Sequence, residues 1–450
     1  MTATASPMRA HRRILAASLI GTSVEFYDFY IYATAAALVF GPLFFPTESQ
    51  SAQLMLSYAS FGLAFFARPL GAAVFGHFGD RLGRKSTLVG SLMLMGGATV
   101  AIAFLPSYAQ VGWVAPLLLC VLRFAQGFGL GGEWGGASLL AVENAPPGYE
   151  NRYGMFPPLG APIGFIAANG FFLLLGALLT DDQFRDWGWR VPFLASAILV
   201  GLGLWVRLKL TETPAFREAA AHHGLARVPI AELLRTHLRP TILGTVGVIA
   251  CFALFYLTTA FALSYGTTTL GHGRQAFLGL EIAAILFLAL GVIVSSVLAD
   301  RGGAQAMLRW GFVGCVASGV LMGPMLGAAS LWVVFAWLAL SLFAMGFCYG
   351  PLGGWLPSLF PPGVRYSGVS ISFNLGGIFG GALAPIAAQA LAERGGLGLV
   401  GAYLVVAGVL SLVGLMLLRA APSPFVPSDV QGHTAKGARG VSTLLDTNGK

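Results

Sequence analysis

Glu25 and Asp28 stand in the run GTSVEFYDFYIYATAAALVF, whose other residues are aromatic, aliphatic or small. Arg68, in FARPLGAAVFGHFGD, and Arg123 and Glu133, in LLCVLRFAQGFGLGGEW, interrupt stretches that are just as apolar. A charge at the centre of a membrane helix costs about 2.5–3.5 kcal/mol on insertion scales, so such a residue faces a cavity, a partner or a proton. Guanidiniums and carboxyls at one depth offer a specific chemistry. The guanidinium holds an anion, and the acid takes up and releases a proton. A carboxylate beside an arginine stays ionised, and an anion occupying that arginine removes the support and favours protonation. Anion and proton binding are then coupled.

The elements that must position these residues are membrane helices. The chain is 56% hydrophobic and only 10% charged, with a mean hydropathy of +0.77, far from the composition of a soluble domain. Apolar runs of about 20 residues, enough to cross a hydrocarbon core as a helix, recur along nearly the whole length. Hydropathy places twelve spans, beginning near Ile14, Leu54, Ser86, Trp113, Tyr153, Arg190, Thr241, Gln275, Met307, Leu331, Tyr366 and Leu399. The expected fold class is an all-α polytopic membrane protein of twelve transmembrane helices in two six-helix halves. On the first span a rotation of about 100° per residue puts Glu25, Asp28 and Tyr32 on one face, where they can line one cavity. Counted along their helices, Arg68 and Arg123 fall at comparable depth.

Most of the 26 basic residues lie at the termini and in alternate loops, which the positive-inside rule assigns to the cytoplasm. The expected organisation is a cytoplasmic N-terminus over 1–13, a first half over 14–208, a cytoplasmic linker over 209–240, a second half over 241–420 and a disordered cytoplasmic tail over 421–450. The basic start MRAHRRILAASLIG lacks the cleavage site of a signal peptide and reads as a retained first helix. The net charge of +8 is dispersed in short clusters, not gathered in the continuous stripe that nucleic acid requires. Cys120, Cys251, Cys315 and Cys348 each stand alone and read as packing residues.

Between the second and third spans the chain reads GHFGDRLGRKSTLV. A positive-inside loop explains the bases, but not Asp80 or the spacing of Gly76, Gly79 and Gly83. This loop resembles the G-x-x-x-D-R-x-G-R-R/K signature of the major facilitator superfamily. The resemblance implies that Gly76, Asp80, Arg81, Gly83, Arg84 and Lys85 form a gate that locks the two halves. A weaker echo, LADRGGAQAMLRW, follows about 220 residues later, as a duplicated half predicts, and its loss of the GRK ending suggests a looser second gate. GTSVEFYDFYIYATAAALVFGPLFFP, RFAQGFGLGGEWGGASLLAVENAP and WGWRVPFLASAILVGLGLWVR are similar to the metabolite:proton symporter family, most of all to its shikimate-transporter-like members.

That resemblance implies proton-coupled import of a small organic acid or zwitterion across the bacterial cytoplasmic membrane. It also implies that the first and fourth spans face the central cavity, where Arg123 pairs with Asp28 or Glu25. On this reading Arg123 attracts the substrate anion and Asp28 takes the proton, with Glu25 as the alternative acid and Glu133 as a relay. Glu25, Tyr32, Gln126, Trp134 and Asn374 are candidate substrate contacts, Asn374 equally a bond between helices. Tyr256, Tyr265, Tyr349 and Glu281 are weaker candidates, Glu281 being expected at the exposed outer end of its span. The partners expected are the substrate, a proton and the lipid bilayer, acting on a monomer, with no cofactor, metal or nucleic acid. The alternative function is a proton-coupled exporter of a drug or metabolite. An enzyme is excluded because no span carries a nucleophile with a base or a metal cluster.

Overall fold

The computed structural model describes residues 12–82, 84–131, 133–208, 233, 235–361 and 364–418, and all of these side chains except those of 12–14, 76–88 and 206–208. Twelve helical rods run through the described residues: α1 (Arg12–Leu38), α2 (Gln50–Leu82), α3 (Arg84–Ile102), α4 (Val114–Glu143), α5 (Glu150–Leu178), α6 (Arg190–Leu208), α7 (Leu238–Thr268), α8 (Arg274–Gly302), α9 (Ala304–Leu326), α10 (Leu331–Ser358), α11 (365–394) and α12 (397–417). Each begins within about four residues of its hydropathy-based start, because the same apolar run that needs lipid also needs a helix to satisfy its backbone. Residues 209–232 and 234 of the expected linker, and the expected tail, lie outside the described residues, and α7 begins inside the expected linker at Leu238.

Length and apolarity alone qualify α2, α4, α5, α7, α8, α9, α10 and the joined α11–α12 as spans, and α6 joins them when counted with the bent turn before it. The α11–α12 joint is a break in one long helical run, where Gly396 takes a φ of +66° that a side chain would resist. Short π-helical turns interrupt α7 at Leu257–Phe261 and α11 at Ile378–Ala382. Ile198, Val320 and Trp332 are among the apolar side chains most exposed, as expected of surfaces turned to lipid.

Lipid supplies no hydrophobic drive for helix association, so small residues set the contacts. At Gly127 a Cβ would collide with the backbone of Ala64, and at Gly131 with that of Arg68, so α4 lies directly on α2. Across the halves α2 meets α11, and α5 meets α8. The end of the bundle that holds Arg12 and Leu418 is the terminal face. There Gly154 of α5 packs on Gly353 of α10, and Gly135 of α4 on Ser370 of α11. At the far face Tyr58 of α2 reaches Ser264 (2.5 Å) and the Ala260 carbonyl (3.0 Å) of α7. Gln389 donates to Ser51 at 2.9 Å, and Arg274 pairs with Asp181 at 2.9 Å. Both ends are thus bridged, and the halves enclose the centre.

Candidate functional site

The centre is aromatic and cationic. α1 sends Phe29 into the seam, where its ring packs with Phe61, Phe65 and Tyr256. Two guanidiniums use that one ring: Arg123 at 4.3 Å and Arg68 at 4.5 Å from its centre. Arg123 also lies over Tyr32 at 4.0 Å and Phe61 at 4.8 Å, and Arg68 over Phe65 at 4.7 Å. Such faces attract a cation but neutralise no charge.

Neither guanidinium forms a salt bridge among the described residues. Arg123 donates through Nε to the Phe61 carbonyl at 3.3 Å and through one terminal nitrogen to the Gln126 side-chain oxygen, and its other terminal nitrogen is buried without a partner. Arg68 makes no hydrogen bond among the described residues, although Glu25 stands within electrostatic reach. Arg68 and Arg123 are 6% and 0% exposed. Two buried, underpaired cations are costly unless an anion joins them.

The expected pairing of Arg123 with Asp28 or Glu25 is not formed. Gln126 stands between Arg123 and Asp28, donating to the Asp28 main-chain carbonyl at 3.1 Å and to Thr99 at 2.8 Å. Asp28 is fully buried inside the first half. One carboxylate oxygen accepts from Ser196 at 2.5 Å, and the other, with Thr99 nearby, makes no hydrogen bond among the described residues. The expectation that Glu25, Asp28 and Tyr32 line one cavity is corrected with it. Three residues on a helix are about 60° short of a full turn, enough to direct Glu25 toward α2 while Asp28 points among α3, α4 and α6. Tyr32 lies beneath Arg123 and bonds Ser60 at 2.8 Å.

Glu133 is buried and accepts from Ser91 at 2.6 Å, within electrostatic reach of Asp28. Asn374 donates to the Gly131 carbonyl at 2.9 Å, so its amide bonds helices of opposite halves. Trp134 lies flat on Phe373, 3.6 Å between ring centres and 3° between planes, and donates to Tyr349 at 3.1 Å. Glu281 departs most from expectation. It is 1% exposed and not at an open helix end. The side chains of Gly76, Asp80, Arg81, Arg84 and Lys85, and the whole of Gly83, lie outside the described residues. The echo in the second half is engaged: Asp300 accepts from the Asn151 amide at 2.9 Å and forms an ion pair with Arg152 at 3.1 Å. Arg365 approaches Glu143 at 3.9 Å.

Phe29, Ser196 and Thr99 were missed in the sequence. Ordinary residue types in a uniformly apolar helix carry no signal of the face they occupy. Arg68 had a signal, its charge at mid-span.

Two six-rod halves closing over buried charges define a polytopic membrane protein with a polar centre. Residues 14–241 match the family described as sugar (and other) transporter. An inner membrane metabolite transport protein of Escherichia coli K12, YhjE, is 48% identical over 417 residues, covering 92% of this chain and 95% of its own. The E. coli shikimate transporter is 37% identical, covering 86% of this chain and 89% of its own. A Salmonella typhimurium proline/betaine transporter is 29% identical over 93% of this chain and 87% of its own. Among solved structures, the xylose transporter XylE of E. coli in a partially occluded inward-open conformation superposes with a TM-score of 0.71 at 16% identity, covering 92% of this chain and 99% of that one. That likeness speaks to the fold. The chain belongs to the sugar (and other) transporter family, whose members are transporters and not enzymes, shares the major facilitator fold of the solved XylE, and is a multi-pass protein of the inner membrane.

Proposed function

We propose that the protein imports a small organic acid or zwitterion together with protons, by alternating access, with its terminal face in the cytoplasm. The observation that carries this reading is the pair of buried guanidiniums, Arg68 and Arg123, around one phenyl ring, neither in a salt bridge among the described residues. Such a pair holds a carboxylate more strongly than a neutral sugar. Asp28 lies one hydrogen-bonded residue away through Gln126, close enough for its charge to respond to what occupies Arg123. The relatives named for shikimate and for proline or betaine, and the solved XylE described as a proton:xylose symporter, support the same class.

The cycle follows from these positions. With the far face open, substrate carboxylate binds Arg123 and Arg68, and a proton reaches the unpartnered oxygen of Asp28. Neutralising both charges removes the cost of burying them, so the halves close and then part at the terminal face. Substrate leaves to the cytoplasm, Asp28 releases its proton there, and the ion pairs Asp300–Arg152 and Arg365–Glu143 reform. Glu25, Tyr32 and Gln126 shape the anion site. Asn374 acts at the closing seam, Glu133 relays the proton, and Gly76, Asp80, Arg81, Gly83, Arg84 and Lys85 gate the first half. The protein works as a monomer.

The test is uptake of labelled organic acids and zwitterions into cells expressing the protein, with and without an imposed pH gradient. Accumulation that collapses with the gradient is the expected result. Accumulation that rises on collapse replaces import with proton-coupled export.

A further inference from the structure

The described residues line a small cavity between α1, α5, α7 and α8, bounded by Tyr30, Thr34, Phe165, Thr259 and Glu281 among others. Its polar groups share one sense. The Thr34 hydroxyl hydrogen is committed to the Asn169 side-chain oxygen at 2.7 Å, and that of Thr259 to the Phe255 carbonyl at 2.8 Å. Their lone pairs therefore remain for the cavity. Glu281 adds a carboxyl with no hydrogen bond or ion pair among the described residues, and one of its oxygens is fully buried without a partner. Tyr30 and Phe165, edge to face at 5.5 Å, supply aromatic walls. Acceptors, an acid and aromatic rings converging on one void form a pocket for positive charge.

Burying an unpaired carboxyl is costly, and no basic side chain stands at pairing distance among the described residues. Tyr30 packs on Phe255 at 5.2 Å, Phe255 on Tyr256 at 5.1 Å, and Tyr256 on Phe29 at 6.3 Å, so a continuous run of rings joins the pocket to the one that holds Arg68 and Arg123. We infer that Glu281 is the receptor for the cationic nitrogen of a small zwitterionic substrate whose carboxylate is held by Arg68 and Arg123. This rests on the transporter reading above and narrows its substrate class. A zwitterion bridging the two sites would touch α1, α2 and α4 at one end and α8 at the other, and so draw the halves together.

The test compares glycine betaine with 3,3-dimethylbutanoate, its carbon isostere, which keeps the carboxylate and loses the positive charge. Binding to purified protein in detergent is read by isothermal calorimetry. Wild type is expected to prefer betaine by about tenfold or more, and Glu281→Gln to abolish the preference by weakening betaine alone. Arg123→Gln should weaken both ligands, and a thermal melt of Glu281→Gln near that of wild type shows that the variant is folded. Equal binding of both ligands by wild type overturns the inference. So does equal loss of both in Glu281→Gln, or an unchanged preference there. If wild type binds neither ligand, the inference also fails, and proton-coupled uptake of the organic acids then decides the transporter reading separately.

Discussion

Arg123 and Asp28 never touch: Gln126 lies between them, its oxygen on the guanidinium and its nitrogen on the main-chain carbonyl of Asp28. The aspartate turns its carboxylate away, toward Ser196. In the proposed cycle the anion site and the proton site are therefore separate, coupled through one amide and the backbone of α1. Each can be removed without deleting the other.

Arg123→Gln should lower the initial rate of substrate uptake roughly 30-fold or more, the effect of removing about 2 kcal/mol from a buried charge contact. Membrane insertion should be unaffected, as judged by protein in the membrane fraction. Arg68→Gln should act in the same direction, because the two side chains share Phe29. Wild-type kinetics in both variants would refute the anion site.

Asp28→Asn should abolish accumulation driven by a pH step while preserving exchange of labelled for unlabelled substrate, a reaction without net proton movement. The sign is set by the coupling. An outward acid step drives uptake in the wild type because protons enter with substrate, and the variant should show the same uptake with or without the step. Glu25→Gln is the paired control. If it loses the response and Asp28→Asn keeps it, the two acids exchange roles; if both keep it, Glu133 is next.

Gln126→Leu should leave both charges in place yet weaken the communication between them. The expected signature is a substrate affinity that changes less with pH than in wild type, measured as Kd on either side of neutrality. A pH dependence identical to wild type would show that the amide carries no coupling.

Asp300→Asn should loosen the terminal face, because it removes the charge opposing Arg152 and weakens the acceptor for the Asn151 amide. With the four native cysteines replaced by alanine, a Ser370→Cys reporter, which faces Gly135 in the closed seam, should be labelled several times faster by a maleimide. Unchanged labelling would remove Asp300 from the gate.

Gly127→Val should lower the melting temperature in detergent markedly, since even a Cβ there meets the backbone of Ala64 and overpacking costs about 1–3 kcal/mol or more. Gly97→Ala, in open space on α3, is the control and should stabilise slightly.

How much of this was legible in the sequence follows from what burial does to pattern. The spans and their order could be read because every lipid-crossing helix must be apolar for its length, and Arg68 and Arg123 could be placed at mid-depth by counting. The direction of Asp28 could not be read. A helix enclosed by neighbours on all sides has no polar face, so α1 carries no periodicity to show which residues meet α2 and which meet α6. Glu281 misled for the related reason that burial near a helix end is decided by other elements, here α1, α5 and α7. Asn374 allowed two readings, and only the position of Gly131 in the opposite half separates them.

The stack of Trp134 on Phe373 joins α4 to α11 at the face that must part for release. In the proposed cycle, each turnover that opens this face would peel an indole from a phenyl ring and give it a new dielectric. The protein thus carries an optical probe inside its own gate. With the other eight tryptophans replaced by phenylalanine, emission from Trp134 should shift in wavelength with the position of the halves and would time the opening without any attached dye.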